Sequence, residues 1–179
     1  IQRRIQNLLT DGNNELKVDD AAKIVGCWKA LAKYGLSGED GALYAPMRRA
    51  VAFCQVIEKE YGGQKHKVSS KLIAEMFGAV VSEYQKAECT ALLADHPDLK
   101  LPPALAMNCE AEHVDGSMNA SEKEAKLQWL KAEEGLPENT CRILSNVRCL
   151  AEGVDVPALD AVLFLTPRNS QVDVVQSVG

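Results

Sequence analysis

Cys141-Arg-Ile-Leu-Ser-Asn-Val-Arg-Cys-Leu-Ala-Glu-Gly-Val-Asp-Val-Pro-Ala-Leu-Asp-Ala-Val-Leu-Phe-Leu165 decides the fold. Two apolar runs, Arg142–Leu144 and Ala161–Leu165, have the length and residue types of buried strands. Between them lie a polar turn, a short helical stretch and a Gly-x-Asp-x-Pro loop. Strand, covering segment and second strand make one unit of a parallel α/β sheet.

Upstream of this unit, Leu105–Val114 is a further strand candidate, running into His113-Val-Asp-Gly-Ser-Met118, where Gly116 permits a tight turn. Ser121 with Glu124 three residues on predicts a capped helix that carries Ala125, Leu127, Trp129 and Leu130 and ends at Gly135-Leu-Pro. Arg49-Ala-Val-Ala-Phe-Cys54 is a short β-type run, followed by Gln55–Tyr61 of helical composition. Residues 69–94 form the longest helix candidate, with Ser69 or Ser70 as cap and Leu72, Ile73, Met76, Phe77, Val80, Val81 and Tyr84 on one face. The prolines of Asp95-His-Pro-Asp and Leu101-Pro-Pro end it, and it reads as a helical insertion over about 64–104.

Residues 1–36 are predicted helical, with Asp19 or Asp20 as N-cap and Ala21, Ile24, Val25, Trp28, Leu31 and Ala32 as an apolar face closed by Gly35. Trp28 is expected to anchor a core or a neighbouring element. Ser37-Gly-Glu-Asp-Gly-Ala42 is a turn-rich linker, and Gln171–Val178 is a last helix candidate. The organisation expected is an N-terminal helical segment over 1–45 and an α/β lobe over 46–179, whose mainly parallel sheet is covered on both faces.

With 179 residues, 46% hydrophobic and 25% charged, the chain has the composition of one globular domain with a real core. A net charge of −5 gives no general attraction to phosphate backbones, so any nucleic-acid contact must come from local groups. The six cysteines include no C-x-x-C pair and no histidine cluster. They read as buried free thiols of a reducing compartment, the cytoplasm, and no metal site is expected. No apolar run reaches membrane-spanning length, and the lack of an initiating Met makes the chain read as a fragment.

In open parallel sheets ligands bind outside the carboxyl ends of the strands. Here those ends are Cys54-Gln55, His113–Met118, Ser145–Arg148 and Thr166–Ser170. Ser145, Asn146 and Arg148 put hydroxyl, amide and guanidinium groups directly after a buried strand, a set that suits a phosphate backbone. A helix cap with a solvated arginine accounts for them as well. In Gly153-Val-Asp-Val-Pro157, Gly153 allows close approach of a ligand, Asp155 can accept hydrogen bonds from sugar hydroxyls, and Pro157 fixes the exit. A plain αβ loop explains that pattern too.

Leu150-Ala-Glu-Gly-Val-Asp-Val-Pro-Ala-Leu-Asp-Ala-Val-Leu-Phe164, followed by Gln176-Ser-Val-Gly179, resembles motifs V and VI of the second RecA-like lobe of superfamily 2 helicases and translocases. Arg49-Ala-Val-Ala-Phe-Cys-Gln-Val-Ile-Glu58 is similar to motif IV, and His113-Val-Asp-Gly-Ser-Met-Asn-Ala-Ser-Glu-Lys123 to the H-x-x-G-x-M segment between motifs IV and V. Asp19-Asp-Ala-Ala-Lys-Ile-Val-Gly-Cys-Trp-Lys-Ala-Leu-Ala-Lys33 resembles the inter-lobe region of large bacterial restriction-modification helicases.

The resemblance implies a RecA-like three-layer lobe. It places Gly153, Asp155 and Gln176 toward a nucleotide, and Cys54, Gln55, Asp115, Gly116, Ser145, Asn146 and Arg148 toward a nucleic-acid backbone. DNA is the expected partner, RNA a less favoured one, together with an N-terminal RecA-like lobe of the same polypeptide. ATP and Mg2+ are expected cofactors of the intact protein. The chain departs from the family pattern at Glu152, where some members have arginine, and it stops before the motif VI arginines. It carries neither a G-x-x-x-x-G-K-[ST] loop nor a D-E-x-H box, so ATP hydrolysis by the chain alone is not expected. The competing expectations are a non-catalytic interaction module that docks through the 69–104 helix, and a small-molecule nucleotide binder, which lacks a Gly-rich first loop.

Overall fold

A computed structural model describes residues 18–57, 69–147 and 159–166. In chain order its main elements are α1 (Val18–Leu31), β1 (Arg49–Phe53), α2 (Ser70–Asp95), β2 (Asn108–His113), α3 (Ala120–Lys131), β3 (Thr140–Asn146) and β4 (Ala161–Phe164). The strands lie in the order β2-β3-β1-β4, and every neighbouring pair is parallel. All four carboxyl ends therefore share one edge, as the alternating strand and helix pattern predicts. The helix expected over Gln171–Val178 and residues 148–158, after Val147, lie outside the described residues.

Successive strand side chains point to opposite faces, and the two cores follow that period. Ala50, Ala52 and Cys54, Cys109, and Cys141 and Ile143 face α1 and α2, meeting Ile24, Trp28, Leu31, Ile73, Phe77 and Val80. The alternate positions Val51, Phe53 and Leu144, with Val114, face α3 and its Leu130, with Leu127 and Trp129 against them. The result is three layers, helices on both faces of one sheet, the arrangement of a RecA-like α/β domain.

The helix expected as an insertion is integral to this core. Leu72, Ile73, Phe77, Val80 and Val81 of α2 are buried, so its first half covers the sheet and connects β1 to β2. Its N-cap is Ser69, which accepts from the Leu72 N–H at 3.4 Å. The strand after it begins at Asn108, three residues later than the apolar run suggests. Pro102 and Pro103 open a 3-10 turn over Pro103–Ala106, which Met107 closes by donating its N–H to the Ala104 carbonyl.

Two further expectations shift and one is met. Asp19 and Asp20 lie within the first turn of α1, where acidic groups favour the helix dipole, and are not its N-cap. Trp28 anchors the core, as expected: it is wholly buried inside this chain, its ring 5.3 Å from Tyr34 and 5.5 Å from Tyr84. Gln55–Ile57 is not helical: Val56 pairs with Ser69 in a parallel bridge that ties the end of β1 to the start of α2.

The capping box of α3 is Asn119 with Glu122, two residues before the expected Ser121 and Glu124. The Asn119 side chain accepts from the Glu122 N–H at 2.9 Å, and the Glu122 carboxylate accepts from the Asn119 N–H at 2.8 Å. At the other end of α3, two arginines of paired strands hold its last carbonyls. Arg49 Nε donates to Leu130 O at 3.2 Å, and Arg142 Nη1 donates to Trp129 O at 2.7 Å. Cations at a helix C-terminus satisfy orphan carbonyls and match the dipole.

Candidate nucleic-acid interface

At the carboxyl edge, period-two alternation carries β2 and β3 past their apolar residues into polar ones. His113 continues the face of Cys109 and Ala111, and Ser145 continues that of Cys141 and Ile143. Both therefore point toward the first turn of α2 rather than out of the edge. There His113 Nδ1 lies 2.7 Å from Ser70 Oγ, and Ser70 Oγ lies 3.1 Å from Ser145 Oγ. Carbonyls of Ser70 and Glu112, at 2.8 and 3.0 Å, offer acceptors to the Ser145 hydroxyl.

The other face of the imidazole reaches the turn after β2. His113 Nε2 lies 2.8 Å from Asp115 Oδ2. Asp115 Oδ1 accepts from the Ser117 N–H at 2.7 Å and from the Ser117 hydroxyl. Asp115 is buried, and its carboxyl is held well below the usual range, first by the Ser117 hydroxyl and next by His113, while burial acts in the opposite sense.

Asp115, His113 and Ser70 share the connectivity of a charge relay. Ser70 is nevertheless 0% exposed, so its oxygen cannot meet a substrate, and the constellation is a clamp rather than a nucleophilic site. The clamp gathers residues 43 and 75 positions apart in the chain. Sequence reading noted Ser70 only as a possible cap and His113 only as part of a motif.

The expected contact residues divide sharply by exposure. Gln55 and Gly116 are exposed, with Ser117 beside them. Ser145 and Asn146 are both 0% exposed: Ser145 is engaged in the clamp, and Asn146 Nδ2 donates to Ala52 O at 3.3 Å. Cys54 is in the core, and its N–H donates to Asn146 O at 2.7 Å. The side chains of Cys54, Ser145 and Asn146 are thus turned into the protein, where they shape the edge from within. Asp115 likewise acts from inside its turn.

Arg148, Gly153, Asp155 and Gln176 lie outside the described residues. Among the described residues no group of three or more His, Cys, Asp and Glu could hold a metal ion, and the Asp115 carboxylate is already occupied by Ser117 and His113. The described part of the edge therefore does not fit magnesium by itself. Nor is any helix among these residues long and apolar enough to cross a membrane.

Set beside known proteins, residues 78–179 match the helicase conserved C-terminal domain family. Among solved structures, the chain is similar to the ATP-dependent Type ISP restriction-modification enzyme LlaBIII bound to DNA. The two are 36% identical with a TM-score of 0.70, over 99% of this chain and 10% of that one. This chain thus spans about a tenth of the length of that enzyme. No curated protein matches the chain. Since the family match covers more than half of the residues and includes α3, β3 and β4 of the parallel sheet, the chain belongs to the helicase conserved C-terminal domain family.

Proposed function

We propose that this chain is the second motor lobe of an ATP-dependent DNA helicase or translocase of the restriction-modification type, working in the cytoplasm with an N-terminal RecA-like lobe of the same polypeptide. The observation that carries the reading is the shared carboxyl end of the parallel strands, where the motif IV end, the H-x-x-G-x-M turn and the strand leading into motif V lie side by side. The likeness to a DNA-bound Type ISP enzyme supports DNA over RNA.

Gln55, the Gly116–Ser117 turn and Arg148 face the DNA backbone in this reading. Since the chain carries a net charge of −5, they bind through local groups, and affinity comes from both lobes together. Gly153, Asp155 and Gln176 face the nucleotide across the inter-lobe cleft. ATP with Mg2+ supplies phosphoryl-transfer chemistry whose cradle and carboxylates belong to the other lobe. This lobe holds the strand, and its position relative to the other lobe changes through the cycle. Burial of the first half of α2 in the core removes that face as a docking surface and weakens the reading as a non-catalytic interaction module.

The test is DNA-stimulated ATP hydrolysis by the intact protein. Asp155→Ala is expected to abolish turnover, and Arg148→Ala to weaken stimulation by DNA. Normal behaviour of both variants would overturn the site assignment.

A further inference from the structure

We infer that His113 is a positioning residue for DNA engagement: its ring locks the exposed Gly116–Ser117 turn to the end of β3 and the start of α2. The inference rests on the proposal that this edge holds DNA, and adds a role for a residue that itself touches no ligand. Its ring has 11% of its side-chain surface exposed, and both nitrogens are within hydrogen-bond distance of protein oxygens.

The shape of the turn is set from beneath. One Asp115 oxygen holds Ser117 by its N–H and hydroxyl, and the other meets His113 Nε2. Rotation of the carboxylate would therefore move Ser117, and the imidazole fixes that rotation. The second ring nitrogen ties the assembly to Ser70, and through Ser70 to Ser145. Ser145 is three residues before Arg148 and eight before Gly153, so the chain that leads into the nucleotide-facing loop and the turn that faces DNA share one buried bracket.

The sheet itself does not depend on this bracket. The β2–β3 pairing runs from Asn108 opposite Thr140 to His113 opposite Ser145. Glu110 pairs with Arg142 and Glu112 with Lys126 at 3.2 and 2.7 Å. Replacing the imidazole should loosen the turn and leave the strand in place.

The experiment measures ATP hydrolysis of the full-length protein against DNA concentration, alongside thermal unfolding. His113→Gln can keep a donor toward Asp115 but loses Ser70, and His113→Asn does the reverse. Each is expected to raise the half-saturating DNA concentration at least about five-fold, with turnover at saturating DNA within about two-fold of wild type. Ser70→Ala, which cuts the link but leaves the ring, is expected to shift the same constant in the same direction. Asn119→Ala, which weakens only the α3 cap, is expected to lower Tm without moving the DNA constant. An unchanged DNA constant in both His113 variants overturns the inference. So does a joint loss of turnover, Tm and DNA affinity that Asn119→Ala reproduces. If the wild-type protein shows no DNA-dependent ATP hydrolysis, it is the motor reading that fails; if Arg148→Ala shifts the DNA constant and the His113 variants do not, only this inference fails.

Discussion

A Cβ placed on Gly78 would sit 2.7 Å from the carbonyl oxygen of Cys109. Helix α2 thus crosses β2 so closely that its backbone meets the strand's backbone. The obstacle is main chain, which cannot swing aside as a side chain would, so Gly78→Ala must push the helix from the sheet. Overpacking of this kind costs about 1–3 kcal/mol, while the better helix propensity of alanine returns at most about 1 kcal/mol. A lower unfolding midpoint for Gly78→Ala is expected in denaturant titration, and a higher one would show that the layers can separate freely.

The same glycine shows where sequence reading stopped. Strands β1, β3 and β4 fall within two residues of the expected runs because each is a short apolar segment bounded by polar or turn residues. The α2 helix was legible as a helix but not as core, since amphipathic spacing says which face is buried and not what buries it. Period-two alternation already sends Ser145 and His113 to the α2 side; what was missing was knowledge that the first turn of α2 waits there. Contacts across 43 and 75 residues leave no local signature.

Asp115 makes the stability of this edge pH-dependent. Its folded carboxyl value is lowered from the ordinary 3.8 by the Ser117 hydroxyl and His113. A lowered value means that the carboxylate contributes stability above the unfolded pKa and loses it as pH falls through the folded one. The stability difference between wild type and Asp115→Asn should be constant above about pH 5 and shrink progressively as pH falls below about 4. A difference that persists unchanged down to acid-induced unfolding would contradict this.

The cap of α3 separates two adjacent sequence signals. Asn119→Ala removes the side-chain acceptor of the Glu122 N–H and should cost about 0.5–2 kcal/mol. Ser121→Ala lies inside the helix, at a position without a capping role, and should change stability by no more than about 0.5 kcal/mol. Equal losses in the two variants would mean that the helix begins later.

Cys109 and Cys141 face each other in register across β2 and β3. Burial pushes the Cys109 thiol up to about 12, and burial together with the neighbouring Cys109 pushes Cys141 up as well. The thiolate is the reactive form, so neither should be alkylated at neutral pH until the domain unfolds. Mass spectrometry after iodoacetamide treatment, native and in denaturant, reads this directly; rapid native labelling of either would require an opening of the sheet.

Ser145 and Gln55, both expected from sequence to touch nucleic acid, should now behave oppositely. Gln55 is exposed at the end of β1, so Gln55→Ala removes a surface amide without disturbing packing. On the proposed function it should raise the half-saturating DNA concentration about five-fold, on the order of 1 kcal/mol, with Tm unchanged. The Ser145 hydroxyl is sealed between the Ser70 and Glu112 carbonyls and accepts from Ser70 Oγ, so Ser145→Ala leaves buried polar partners unsatisfied at a cost of about 1–3 kcal/mol in stability. Its DNA constant should move only as far as the His113 bracket loosens, by less than that of His113→Gln. If Ser145→Ala weakens DNA binding as strongly as Gln55→Ala while Tm stays at the wild-type value, the hydroxyl must leave its buried partners and reach the DNA itself.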